Sequence, residues 1–350
     1  MKTARFSYDV PDALVPRLPS ELRGERRDDA RMLVLERASG RIAHGRMREL
    51  GDFLRPGDLL VVNDTRVLHD RLDGACGGRP VSLLLYGRRG ADWHVRVTPA
   101  GAAAAGATVA FGQGVSATLL EPGVDGLWVA RFEHPGDFAC VLQTLAVRDP
   151  DIFQLPEGDD EVYQTVFAAR PGSLDIPAAG LHFTPELVDD VRRRGVEMAA
   201  ITLHIGLSSA SPQVQAEEVE QHRVGEEWYE VTEEAAAAVN AARARGARVV
   251  AVGTTVVRTL ESAAIAQQAG ERDGRWVPLA PASGWTDLYI YPGHAFRAID
   301  GLVTNMHAPR SSHLLMTSAL AGTELTLRAY DEALERGYRF YEFGDCMVIL

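Results

Sequence analysis

The sequence predicts an α/β protein: a large layered α/β domain assembled from both ends of the chain, residues 1–66 and 150–350, with a small antiparallel β-barrel domain, residues 67–149, inserted into it. Four observations lead there. From about Val162 onward, apolar runs of strand length alternate with helical periods, the pattern of βα units. Between Val67 and Asp149 the texture changes to short β-like runs broken by glycine and proline, without helical period, as in a small barrel or sandwich. The buried-strand run "GDLLVVNDTR" lies before this segment but matches the texture that follows it. The length, 350 residues, exceeds what one core usually supports, about 250–300 residues.

Each element has a local reason. "RMLVLERASGRIAHGRM" reads as a hairpin. In the barrel segment "RPVSLLLYG", "DWHVRVTPA", "ATVAFGQG", "VSATLLEPG" and "GLWVARFEHPG" read as strands, with Trp93, Val95 and Val97 alternating against His94 and Arg96. "TPELVDDVRRRG" is a helix with Thr184 as N-cap, Pro185 at its first position and Gly195 as its stop. The strand "VEMAAITLHIG" follows. "TEEAAAAVNAARARG" is a helix capped by Thr232 and stopped by Gly246. "ARVVAVG" is a buried strand and "TTVVRTLESAAIAQQ" a helix, with Thr254 expected as its cap. "TDLYIYPG" and "FRAIDGLVTN" read as strands, "SSHLLMTSALAG" and "TELTLRAYDEALERG" as helices.

Composition narrows the class. A hydrophobic share of 46% with 24% charged residues is that of a soluble globular protein. No apolar run approaches the ~20 residues a membrane span requires, and the N-terminus lacks the apolar core of a signal peptide. Cys76, Cys140 and Cys346 are odd in number and widely spaced, which speaks for a reducing cytoplasm and against a disulfide framework or zinc ribbon. The net charge of −12 disfavours a large nucleic-acid surface, although Arg23, Arg26, Arg27 and Arg192 to Arg194 form local basic patches.

In open α/β sheets ligands bind beyond the carboxyl ends of the strands, so the residues there are the site candidates. After "DLLVV" come Asn63, Asp64, Thr65 and Arg66; after "AAITL", His204; after "RVVAV", Gly253, Thr254 and Thr255; after "DLYI", Tyr291; after "GLVT", Asn305 and His307. His182 precedes the helix start in "IPAAGLHFTPEL". On the helix after Gly253, the residues Val256, Val257, Leu260, Ala263 and Ala264 make the apolar face, while Thr254, Arg258 and Glu261 share a neighbouring stripe. That stripe is either a surface Arg258–Glu261 pair or the edge of a carboxylate- or ribose-binding site. No nucleotide-binding glycine loop, metalloprotease helix or nucleophile elbow is present.

Taken together, "GDLLVVNDTRV", "YQTVFA", "AGLHFTPEL", "GVEMAAITLHIGL", "RVVAVGTTVVRTLESAA", "GWTDLYIYPG", "GLVTNMHAPRSSHLLMTSALAG" and "YRFYEFGDCMVI" resemble the S-adenosylmethionine:tRNA ribosyltransferase-isomerase family of queuosine biosynthesis, in the family's order and over nearly the whole chain. The resemblance implies a large α/β domain with an inserted barrel. It implies transfer of the ribosyl unit of S-adenosylmethionine to a 7-aminomethyl-7-deazaguanine in tRNA, with isomerisation to epoxyqueuosine and loss of adenine and methionine. S-adenosylmethionine is then a substrate, tRNA the partner, and no metal is implied. His182, His204 and Asp64 are the implied catalytic residues. Asn63, Thr65, Arg66, Thr254, Thr255, Arg258, Glu261, Tyr291, Asn305 and His307 are the implied substrate-binding residues. Asp64, His182, His204, Thr254 and Asn305 are expected to line one cleft facing the barrel.

The sequence also departs from the family pattern. His69 and Asp70 follow "NDTRVL"; a Gly-Thr-Phe element is replaced around Ser209, Ala210 and Ser211; His222 stands without the family's second histidine; "DIFQLPEGDD" replaces a proline-rich approach to "YQT". These changes leave two other readings open: a related S-adenosylmethionine enzyme with a small-molecule acceptor, and a non-catalytic nucleoside- or RNA-binding protein.

Overall fold

The computed structural model describes residues 1–123, 126–148, 160–206, 213–272 and 274–350. Ser209, Ala210, Ser211 and most of "DIFQLPEGDD" lie outside them.

A nine-stranded mixed sheet forms the large domain. Its order is Ala282–Thr286, Glu227–Val231, Glu197–His204, Leu59–Asn63, Val249–Val252, Gly301–Asn305, Cys346–Ile349, Arg31–Glu36, Arg41–Arg46. The four central strands from Glu197–His204 to Gly301–Asn305 run parallel, so their carboxyl ends open on one edge. Both faces are covered, and the alternation along each strand shows how. Leu59, Val61, Val249 and Ala251 pack into the core on one face. Leu60, Val62, Val250 and Val252 pack into the other. A strand apolar at every position is what such two-sided burial demands.

Helices form where the caps foresee them. Thr184 Oγ1 accepts from Leu187 N at 3.2 Å to start Pro185–Arg193, and Thr232 Oγ1 accepts from Ala235 N at 3.2 Å to start Glu233–Ala244. On Thr254–Ala266 the expected apolar face is fully buried. Its cap differs from expectation: Gly253 holds that place with φ 93° and ψ 155°, backbone reserved to glycine, and Thr254 is the first helical residue.

The segment after Leu68 closes into a six-stranded antiparallel barrel in the order Trp128–Glu133, Asp92–Thr98, Arg79–Arg89, Arg71–Cys76, Thr108–Gly112, Val115–Pro122. Closure leaves no strand edge open. Val95 and Val97 point into its core, which also holds Leu83, Leu85, Leu119 and Phe132. This segment also contains a helix, Phe138–Leu145, where the sequence showed no helical period. Asp137 caps it by accepting from Ala139 N at 3.0 Å, and Phe138 packs at a tilt against Phe132 and Trp93.

Some strand assignments change. "TDLYIYPG" is not a strand: the strand Ala282–Thr286 ends at its first residue. Cys346–Ile349, by contrast, is a fully buried strand between Gly301–Asn305 and Arg31–Glu36. It is only four residues long and has no flanking signal of its own.

Candidate active site

Two cavities adjoin at the carboxyl edge of the parallel strands. The first, about 360 Å³, is framed by the segment Asp175–Ala179, the start of the helix Thr254–Ala266, the strand end Thr304–Asn305 with His307, and Tyr341–Glu342. The second, about 400 Å³, lies between the barrel and the sheet, with Trp93 and Phe138 on one side and His204, Trp228 and Trp285 on the other. Ile205 and Glu227 line both.

Carboxylates dominate the first cavity. Glu342 Oε1 is buried without a protein hydrogen-bond partner, while Asp175 Oδ1 accepts from Ile176 N at 2.8 Å. Burial pushes the Asp175 carboxyl up to about 6, the charge of Glu227 adding to the effect. Burial, and then the neighbouring Asp175, push Glu342 well above the usual carboxylate range. Such a pair retains a proton near neutrality because two like charges out of water repel.

Asn305 sets the position of Glu342: its Nδ2 donates to the carbonyls of Tyr341 at 3.0 Å and Glu342 at 2.8 Å. His307 bonds Thr304 Oγ1 through Nε2 at 2.7 Å and packs against His313 with ring centroids 5.1 Å apart. Burial holds His313 down to about 4 and His307 well below its ordinary value. Thr254 and Thr255 present the first turn of their helix, with its unpaired N–H groups, to the same space.

Arg258 lines this cavity, but its donors are already engaged. They reach Glu227, the carbonyls of Gly225 and Thr286 at 3.1 Å each, and Leu288 O at 3.2 Å. Its ion-pair partner is therefore Glu227 from the neighbouring sheet strand, not Glu261 one turn away, and both members are buried. Glu261 points elsewhere: fully buried, it accepts from Arg297 N at 2.9 Å and Ala298 N at 2.8 Å, and meets His294 at 3.3 Å. Its role there is to hold the chain leading into the strand Gly301–Asn305. Tyr291 packs on Tyr289, 5.1 Å between centroids, away from both cavities.

The "NDTR" residues are spread along the neighbouring edge. Asn63 is a buried clip: Nδ2 donates to Leu203 O at 3.0 Å, and Oδ1 accepts from Leu203 N and Thr65 N at 3.1 Å each. Thr65 Oγ1 meets His204 Nδ1 at 2.7 Å. Asp64 accepts from Thr202 Oγ1 at 2.6 Å; burial raises its carboxyl, with Thr202 and Arg170 opposing. Arg66 pairs with Glu161.

The expected single cleft is thus divided. Thr254 and Asn305 line the first cavity and His204 the second, whereas His182 and Asp64 line neither. His182 is 4% exposed, its Nε2 without a protein partner beside Asn305. Burial lowers it, and His204 likewise, to about 4. Both folded-state values lie below the ordinary 6.5, so the unfolded chain binds more protons between these limits. Their stabilising contribution is complete above pH 6.5 and is lost as pH falls towards 4. Thermal melts between pH 7 and 4 should show a falling midpoint, with a shallower fall in His182→Gln; an unchanged slope in that variant would exclude His182 as a contributor.

Asp175, Glu342, Glu227 and His313 were not singled out from the sequence. Asp175 adjoins the "IPAAGLHF" stretch and Glu342 lies in "YRFYEFGD", so nearness to a matched motif was their only signal. The basic patches prove largely neutralised: Arg23 pairs with Glu25, Arg26 with Asp28, Arg27 with Glu21, Arg193 with Asp190 and Arg194 with Asp52. Among the described residues no group of three or more His, Cys, Asp or Glu is placed to hold a metal ion, and no helix is long and apolar enough to cross a membrane.

Comparison with known proteins covers the full chain. The family model described as queuosine biosynthesis protein matches residues 3–349. The S-adenosylmethionine:tRNA ribosyltransferase-isomerases of Heliobacterium modesticaldum and Symbiobacterium thermophilum are 43% and 44% identical to it, each covering 100% of both chains. The crystal structure of S-adenosylmethionine tRNA ribosyltransferase from Thermotoga maritima matches with a TM-score of 0.55 and 34% identity, over 99% of this chain and 100% of that one. With its barrel, its mixed sheet and this end-to-end similarity, the chain belongs to the queuosine biosynthesis protein family.

Proposed function

We propose that this protein is a cytoplasmic S-adenosylmethionine:tRNA ribosyltransferase-isomerase. It moves the ribosyl unit of S-adenosylmethionine to the aminomethyl group of a 7-aminomethyl-7-deazaguanine in tRNA, isomerises it to epoxyqueuosine, and releases adenine and methionine. The observation that carries this reading is identity of 42–44% with enzymes of that name over the whole of both chains. The free state of all three cysteines supports the compartment.

The first cavity has the chemistry to receive S-adenosylmethionine. The sulfonium is a cation, and Asp175, Glu342 and Glu227 surround the space with acidic groups, Glu227 alone being offset by Arg258. The open N–H groups at the start of the helix Thr254–Ala266, with Thr254 and Thr255, suit the methionine carboxylate.

The reaction begins with loss of the acidified C5′ proton, which needs a base whose affinity for protons is matched to neutral pH. The histidines are poor candidates by magnitude: His182, His204 and His313 are held near 4 and His307 also well below its ordinary value. Asp175 and Glu342, raised towards neutrality, are the stronger bases, and they line the cavity that His182 does not reach. In this reading the pair accepts the C5′ proton and can return one to the departing adenine. Asn305 is a positioning residue for Glu342.

The test is incubation of the purified protein with S-adenosylmethionine, with and without tRNA carrying the aminomethyl-deazaguanine, followed by mass spectrometry. Adenine release together with a ribosyl-derived mass gain on the RNA is expected only when both substrates are present. Adenine release that ignores the RNA, or none at all, would overturn the reading.

A further inference from the structure

The ribosyl-transfer reading gives the second cavity no part in binding S-adenosylmethionine, yet it is built from unusual surface. Trp228 and Trp285 are directly paired across the two outermost strands on that side of the sheet, so their side chains share one face. Trp285 is 39% exposed, a large apolar group left in water. Behind them His204 stacks on Trp228, with centroids 5.2 Å apart and planes at 18°. Two contacts fix the imidazole: Thr65 Oγ1 on Nδ1, and Gly172, where a Cβ would stand only 2.6 Å from the ring. Trp93 faces them from the barrel. Such a set of rigid aromatic planes suits a flat π-system, since a base stacks on an aromatic side chain whatever its identity.

The polar groups of this cavity are also ordered. Glu227 belongs to both cavities, and Glu226 lies next to it. Arg88, exposed at the barrel side, supplies a cation at the rim. Glu227, held by Arg258, stands at the inner end with the exposed Glu226 beside it, and a guanidinium stands outside, an arrangement that suits a base with a polar aminomethyl substituent attached to a phosphate backbone that stays outside.

We propose that the second cavity is the acceptor subsite: it takes one nucleobase turned out of the RNA, stacks it among Trp93, Trp228 and Trp285, and directs its aminomethyl group, which reacts as the free amine, past Glu227 into the first cavity. An enzyme acting on a base must take that base out of its stack, and here the receiving space adjoins the proposed S-adenosylmethionine site, with Ile205 and Glu227 lining both. The inference rests on the ribosyl-transfer reading above.

The probe is a stem-loop RNA with 7-aminomethyl-7-deazaguanine in its loop, together with S-adenosylmethionine. Trp285→Ala should reduce kcat/KM for the RNA by about fivefold or more, the worth of one stacked face, with S-adenosylmethionine binding by calorimetry within twofold of the unsubstituted protein. Trp285→Phe keeps a stacking face and should restore kcat/KM to within twofold. Titration with the stem-loop should quench indole fluorescence in the unsubstituted protein, and less so in Trp285→Phe. A smaller loss in Trp285→Ala, a parallel loss of S-adenosylmethionine binding, or a quench unaltered in Trp285→Phe would each overturn the proposal. If the unsubstituted protein released no adenine with this RNA, the ribosyl-transfer reading would fail, and the fluorescence titration would still report whether a base enters the cavity.

Discussion

Glu342→Gln is expected to lower kcat for adenine release by roughly 10²–10⁴, the usual worth of a positioned acid or base, with S-adenosylmethionine still bound. Asp175→Asn should behave alike, because the two buried carboxyls line the same cavity and Asp175 raises the proton affinity of Glu342. The pH profile separates chemistry from structure. In the unsubstituted protein the rate should rise with pH as Asp175, pushed up to about 6, loses its proton. The raise on Asp175 comes from burial and the charge of Glu227, neither of which Glu342→Gln removes, so that limb should keep its place in Glu342→Gln while the rate falls. Stability should move in the opposite sense to activity. A carboxyl raised on folding binds more protons in the folded chain, so its contribution is full at low pH and declines as pH rises through the folded value. Glu342→Gln should therefore melt no lower than the unsubstituted protein at pH 8 in the absence of ligand. A near-normal kcat in both variants would remove the pair from the chemistry.

Arg258→Ala should be the most destabilising single change near the site, by about 3–5 kcal/mol, because it strands Glu227 as a buried charge without its partner. It also leaves the carbonyls of Gly225, Thr286 and Leu288 without their donor. Arg258→Lys should recover little, since an ammonium cannot reach a carboxylate and three carbonyls in one planar fork. Arg258→Met combined with Glu227→Leu should be much less damaging than Arg258→Ala alone, because the unpaired charge is gone. Equilibrium urea unfolding measures all three. A loss below about 1 kcal/mol in Arg258→Ala would mean that solvent reaches Glu227 readily and that the wall between the cavities is soft.

Much of the fold is legible from neighbouring residues alone. Thr184 and Thr232 cap the helices that they announce. Val256, Val257, Leu260, Ala263 and Ala264 turn inward as their spacing requires. The β-texture after Val67 closes as a barrel, and the resemblance to the ribosyltransferase-isomerases agrees with the full-length comparison. Strand-end reasoning also reached Thr254, Thr255, Asn305 and His307, which do share a cavity. All of these follow from local energetics: a cap, a period or a strand end is decided within a few residues.

What the tertiary structure alone decided lies at longer range. On one helix face Arg258 and Glu261 look like natural partners, yet the sheet brings Glu227 to Arg258 and the chain before Gly301 brings two amides to Glu261. Asp175 and Glu342 lie in separate motifs, and their shared burial, which raises their proton affinity, appears only when the chain is folded around one sheet edge. His182 and His204 stand at comparable junctions in the sequence. Depth separates them: one is sealed behind Asn305, the other stacked in the second cavity on Trp228. Local pattern was enough to place the ends of the central parallel strands and the polar groups that follow them, though not the end expected at Tyr291. Which of those groups share a space, and which lose enough water to alter their protonation, depended on strand order and burial, quantities that no local pattern encodes.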